Sequence, residues 1–169
     1  NLIAFLLKYK MKEKAKLIVV AFNDAAYVVS PLSYLFEKGE VEDRISRLSH
    51  SRSTHIAAGL LKAISILDTT AGSKNLILIS DGVNQDKNMA IDAAKIAVNK
   101  GIRIYTVGVG DKTDDANMMR LADIGNGVFF KATEVSRIKV LFGDIEEQKS
   151  ATPSVVILNK NHFITEDLP

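Results

Sequence analysis

Apolar residues in this chain come in short solid runs, separated by stretches where they recur every three or four positions. The solid runs are Leu17–Phe22 and Leu76–Ile79; Ile102–Val109 is a further strand pattern, broken by Arg103 and Thr106 and ending in a Gly-rich turn. Runs of this length predict strands buried on both faces, the pattern of a parallel sheet. Ala26–Val29 follows Phe22 after the turn residues Asn23 and Asp24, so residues 16–22 and 26–29 predict a hairpin that Pro31 ends. The three-and-four spacing predicts helices over residues 1–12, 40–48, 55–67, 86–99, 116–124 and 135–147. Thr54 is placed to cap the third of these, and Gly101 to stop the fourth. Short strands are expected at 128–130 and 155–158. After the hairpin, strands and helices alternate. That order implies an α/β fold with a doubly wound, mostly parallel sheet, helices on both faces and one antiparallel edge strand. Residues 1–147 form one domain in this reading, and 148–169 a linker with an extra strand.

Composition narrows the function classes. The 169 residues are 47% hydrophobic and 25% charged, enough for one sizeable core. Lys and Arg number 22 against 20 Asp and Glu, and no basic stripe carries interleaved aromatics, so nothing argues for nucleic acid. The absence of Cys excludes disulfides and thiolate metal ligation and leaves the compartment open. No run reaches the roughly 18 apolar residues of a membrane span. The chain opens in mid-pattern at Asn1, which reads as a piece of something longer.

In a parallel sheet the loops after the strands share one rim, where such folds place ligands. Three rim segments carry oxygen donors: residues 51–54, Ser80-Asp81-Gly82 and Gly108-Val109-Gly110-Asp111. Asp81 stands at the carboxyl end of a central strand, and Gly82 lets the chain turn away. Hydroxyl, carboxylate and water oxygens together suit a hard cation of the Mg²⁺ type. Each residue also has a plain reading: Thr54 as a helix cap, Asp81 as a turn residue, the glycine segment as a turn. His50, His55 and His162 share no metal-ligand spacing and read as loop and surface residues. No Ser/His/Asp or Cys/His arrangement is present.

Four stretches together resemble the von Willebrand factor type A domain: Leu17–Ala26, Ser53–Leu60, Leu76–Gly82 and Gly101–Gly110. The resemblance implies a six-stranded doubly wound domain with a metal-ion-dependent adhesion site. In that family an Asp-x-Ser-x-Ser loop, a Thr and a second Asp hold the ion, usually Mg²⁺. The positions here that match are Thr54 and Asp81, with Ser53, Ser80 and Gly82 as rim neighbours. The ion's open position would then take a carboxylate from a partner protein.

No Asp-x-Ser-x-Ser occurs in these residues, and neither does the central strand that should carry it. A sheet without that strand leaves unpaired backbone and an apolar slot. Residues 154–163 offer an apolar strand followed by Asn159-x-Asn161-x-Phe163, a polar echo of the motif. This tail either fills the slot, from its own chain or from a neighbour in a strand-swapped homodimer, or leads into a further domain, the reading the sequence favours. The expected function is a non-enzymatic protein–protein interaction module whose parent binds a partner's acidic side chain through Mg²⁺ or another divalent cation. Two ligands alone predict weak or absent binding in this chain. Two other readings stay open: an accessory subunit of an ATPase or chelatase-type complex, and a flavodoxin-like phosphoryl acceptor using Asp81.

Overall fold

The computed structural model describes residues 16–34, 40, 43–45, 47, 53–132 and 154–159. The helices expected at 1–12 and 135–147, together with His50, Asn161 and His162, lie outside these residues. Six strands form one sheet: β1 (Lys16–Phe22), β2 (Ala26–Tyr34), β3 (Lys74–Ser80), β4 (Ile102–Gly108), β5 (Phe129–Lys131) and β6 (Ser154–Asn159). Their spatial order is β2-β1-β6-β3-β4-β5. Only β2 runs antiparallel to its neighbour; β1, β6, β3, β4 and β5 are mutually parallel. Three described helices flank the sheet: α1 (Ile56–Asp68), α2 (Lys87–Asn99) and α3 (Asp115–Ile124).

The solid runs become strands because both of their faces are covered. Ile18, Val20, Phe22, Leu76, Leu78, Ile102 and Ile104 join the core under α1, α2 and α3. Val19, Ala21, Ile77, Ile79 and Val107, which point the other way, are buried as well. On α1 the buried residues Ile56, Leu60, Ala63, Ile64 and Leu67 make one stripe, the helical spacing turned into packing. α2 presents Ala90, Ala93, Ala94 and Ala97, small side chains that seat it close beside α1.

Two expectations change. β2 does not stop at Pro31 but continues to Tyr34. As an edge strand it can hold a residue without an N–H, and its pairing with β1 is irregular between Leu17 and Val20. Residues 154–159 do not lead away from the sheet: as β6 they lie between β1 and β3. Leu17 through Phe22 pair with Ser154 through Asn159, and Asn75 through Ile79 with Ser154 through Leu158.

Candidate metal-ion rim

The carboxyl ends of β1, β3 and β4 meet at one rim, held together by hydrogen bonds between its loops. The amide of Val109 donates to the carbonyl of Ser80 at 2.9 Å, joining the β4 turn to the β3 end. The amide of Gln85 donates to the carbonyl of Thr54 at 3.1 Å, and that of His55 to the carbonyl of Asn23, also at 3.1 Å. The loops at Asn23, Thr54 and residues 80–86 are thus tied into one surface.

Thr54 is buried at the start of α1, but it is not the helix cap. The residue in the cap position is His55, whose side chain makes no capping bond. The first amides of α1 are satisfied from across the rim instead. Asp86 accepts from the amide of Ala57 through both oxygens, at 3.1 and 3.3 Å, and Asn84 Oδ1 accepts from that of Ile56 at 3.4 Å. A carboxylate at this place also suits the positive end of the helix dipole. The capping that local sequence assigns to Thr54 is therefore done by residues about thirty positions away.

Asp81 follows β3 directly, half-buried, with its Oδ1 fully enclosed. Ser80 is buried beneath it. Gly82 is half-buried and does not use the left-handed region, which among the described glycines belongs to Gly72, Gly101 and Gly110. The β3 end therefore turns without the special backbone freedom expected of Gly82. Gly110, at φ 73°, does use it, and Thr113 Oγ1 closes that turn on the carbonyl of Val109 at 2.7 Å. Ser53 Oγ donates to the carboxylate of Asp24. Asn159 ends β6 opposite Phe22 of β1, so the backbone of this position reaches the same rim.

Four polar residues that organise the rim, Asp24, His55, Asn84 and Asp86, were read from the sequence as turn, surface or helix residues or not singled out. His55 lies between two carboxylates, with Nε2 3.8 Å from Asp24 and Nδ1 3.7 Å from Asp86. It is a bridge between loops rather than an isolated surface residue. Asn84 is buried; besides Ile56 it accepts from the amide of Asp86 at 3.2 Å, and it donates to Asn117 Oδ1 on α3 at 3.1 Å. The sequence signal for Asp24 was its place just after a strand. Asn84 and Asp86 carry no local signal beyond turn propensity.

The donor set fits part of a hard-cation site. A buried hydroxyl residue and a carboxylate with an enclosed oxygen lie on segments that the 80–86 loop ties together, which suits Mg²⁺ or a similar ion. Among the described residues no group of three or more His, Asp or Glu gathers to hold a metal.

A doubly wound α/β sheet with a polar rim of this kind defines a class of binding folds. The sequence matches the von Willebrand factor type A domain over residues 3–144, and the chain belongs to that family. Domains of the family typically mediate protein–protein interaction. The fold is shared with an aerotolerance-related membrane protein from Bacteroides fragilis, at 21% identity and a TM-score of 0.73 over 87% of this chain and 86% of that one. BatB from Bacteroides thetaiotaomicron is similar at 20% identity and a TM-score of 0.71, with the same coverage. Proximal thread matrix protein 1 from the mussel byssus, solved with a zinc-occupied adhesion motif, is 19% identical with a TM-score of 0.68, over 86% of this chain and 38% of that one. No curated protein sequence matches the chain. Among the described residues no helix is long and apolar enough to cross a membrane.

Proposed function

We propose that the chain is a non-enzymatic protein-interaction module that engages an acidic side chain of its partner at the β1–β3–β4 rim, with a divalent cation, Mg²⁺ in the first place, between them. The observation that carries this reading is the junction of the Thr54 segment with the loop that follows Asp81. The hydroxyl of Thr54 and the carboxylate of Asp81 supply oxygen ligands, with Ser53, Ser80 and Gly82 as neighbours; Asn159, whose backbone ends β6 at this rim, and Asn161, two positions on in the sequence, are candidate neutral oxygen donors. A site with so few charged ligands leaves the ion electrophilic and ready for an external carboxylate. The byssus protein's zinc-occupied motif supports a divalent cation at this place in the fold.

The surroundings suit a protein partner. Val83, just past the carboxylate loop, is 58% exposed, and Met89, on the first turn of α2, is 63% exposed. Exposed apolar side chains next to a charged anchor give a partner contact area beyond the single carboxylate.

The chain as it stands binds Mg²⁺ weakly, because two protein ligands do not displace water from a reluctantly dehydrating ion. The variant Asn159→Asp/Asn161→Ser/Phe163→Ser rebuilds Asp-x-Ser-x-Ser at the end of β6. In calorimetric titration it should gain at least tenfold in Mg²⁺ affinity and lose that gain when Asp81→Ala is added. Tight binding by the unmodified chain, or a gain indifferent to Asp81, would refute the reading.

A further inference from the structure

β1 and β3 are parallel and one strand apart, because Ser154 pairs with both Leu17 and Asn75. Their separation is then two strand spacings, about 9.6 Å. Both walls of this slot are buried, Ile18 through Phe22 on one side and Leu76 through Ile79 on the other. α1 lies across β1, β6 and β3 and closes the slot from one face. Each wall presents a row of amides and carbonyls that only a strand can satisfy. The strand found there is not a chain neighbour of either wall: β1 is followed by β2, and β3 by α2 and β4. It comes last in the chain and enters from the amino-terminal end of the sheet.

We propose that the slot between β1 and β3 is a strand-acceptor site, that the chain's own segment Ser154–Asn159 occupies it as an intramolecular ligand, and that an added peptide of the same chemistry can take its place. That chemistry is a short apolar, β-branched strand without Gly or Pro, bound parallel to both walls. Backbone ladders on its two edges supply affinity and fix its register against both walls. The occupant comes from the same molecule. Residues 133–153 exceed the dozen or so that a parallel crossover needs. A tethered strand is also presented at an effective concentration on the order of millimolar, above that of a second copy in dilute solution. This inference does not depend on the ion.

The absence of cysteine makes the test direct. Val20 and Ile157 are Cα partners across the β1–β6 ladder. In the full chain, Val20→Cys/Ile157→Cys should oxidise at low micromolar concentration to an intrachain disulfide, at least tenfold faster than the out-of-register pair Val20→Cys/Val156→Cys. Equal rates for the two pairs, or covalent dimers in place of the intrachain product, would overturn the assignment. Exchange is read separately with a fluorescent peptide of residues 154–161 added to full-length chain carrying Val156→Pro, which removes a ladder donor from β6. Saturable binding, at least tenfold tighter than to the unmodified chain, is expected. Failure of both the Pro variant and the milder Val156→Ala to bind the peptide would show that the slot does not accept a strand from outside.

Discussion

The two ends of the parallel strands are closed in different ways. At the rim, side chains add to the three backbone bonds between loops: Asn84 and Asp86 serve the first amides of α1, Ser53 bonds Asp24, and His55 lies between two carboxylates. At the opposite end, Lys100 pairs with Asp68 on the surface, but the turns themselves are fixed by backbone bonds. Gly101, at φ 69°, ends α2 with its amide on the carbonyl of Val98 at 2.9 Å. The turn Gly125-Asn126-Gly127 packs directly on β4, with the amide of Ile104 donating to Gly125 at 3.0 Å and that of Gly127 to Ala122 at 3.0 Å. A backbone-locked end tolerates few sequences and carries no chemistry. A side-chain-locked rim leaves room for binding groups, and its parts can be changed one at a time.

Gly127→Ala should be the most damaging change, because a Cβ there would lie 1.9 Å from the carbonyl oxygen of Ile104. The backbone must move, at a cost toward the upper end of the roughly 1–3 kcal/mol typical of overpacking. Denaturant unfolding checks this, and a change under 1 kcal/mol would show that the floor is not locked by backbone.

Asn84→Ala comes next. It strips acceptors from the amides of Ile56 and Asp86 and leaves Asn117 Oδ1 without its buried donor. Lost hydrogen bonds of this kind cost about 1–3 kcal/mol. Hydrogen exchange should quicken first at the start of α1; an increase spread evenly over the molecule would contradict the local role.

Asp114 gives a smaller effect that depends on pH. Its carboxylate pairs with Lys87, 2.5 Å away, and accepts from the amide of Asn117 at 3.2 Å; these hold its pKa below the ordinary carboxylate value against the opposing effect of partial burial. A lowered folded-state pKa makes this contribution complete above the unfolded value, near 4, and lost as pH falls through the folded one. Asp114→Asn keeps an acceptor for the Asn117 amide but loses the pairing with Lys87, so it should lower stability at pH 7 by about 0.5–1 kcal/mol and flatten the decline below pH 4. An unchanged acid limb would exclude this carboxylate as its source.

Thr54→Ala should change stability least, by under about 0.5 kcal/mol if only a capping role is counted, because α1 takes its caps from Asn84 and Asp86. Its expected effect is on the response to divalent cations. A loss near 1–2 kcal/mol in thermal unfolding would return Thr54 to a structural role.

These contrasts also explain what the sequence made legible. β1 and β3 were readable within a residue or two because burial on both faces leaves a solid apolar run, and β4 from its β-branched and aromatic residues between Gly101 and Gly108. The helices 56–68, 87–99 and 115–124 were readable from their stripes. Thr54 was misread as a cap because the true acceptors lie about thirty residues away, beyond any local rule. Pro31 was read as a stop because its strand could not be known to be an edge. The floor turn went unremarked, although the two glycines around Asn126 were its signal. At the site, Asp81 was visible from its strand-end position, whereas the meeting of Asp24, His55 and Asp86 depends on which strands are neighbours. Filling of the β1–β3 slot by residues 154–159 was one of two expectations, and strand pairing is what places them there.

The most direct test of the proposed ion site is paramagnetic broadening of amide signals by Mn²⁺, standing in for Mg²⁺, on the full chain. The account predicts that the amides of residues 53–56 and 80–82 broaden first and that excess Mg²⁺ reverses it, while those of residues 125–127 stay sharp. Broadening centred away from Thr54 and Asp81, or spread evenly over the exposed carboxylates, would contradict it.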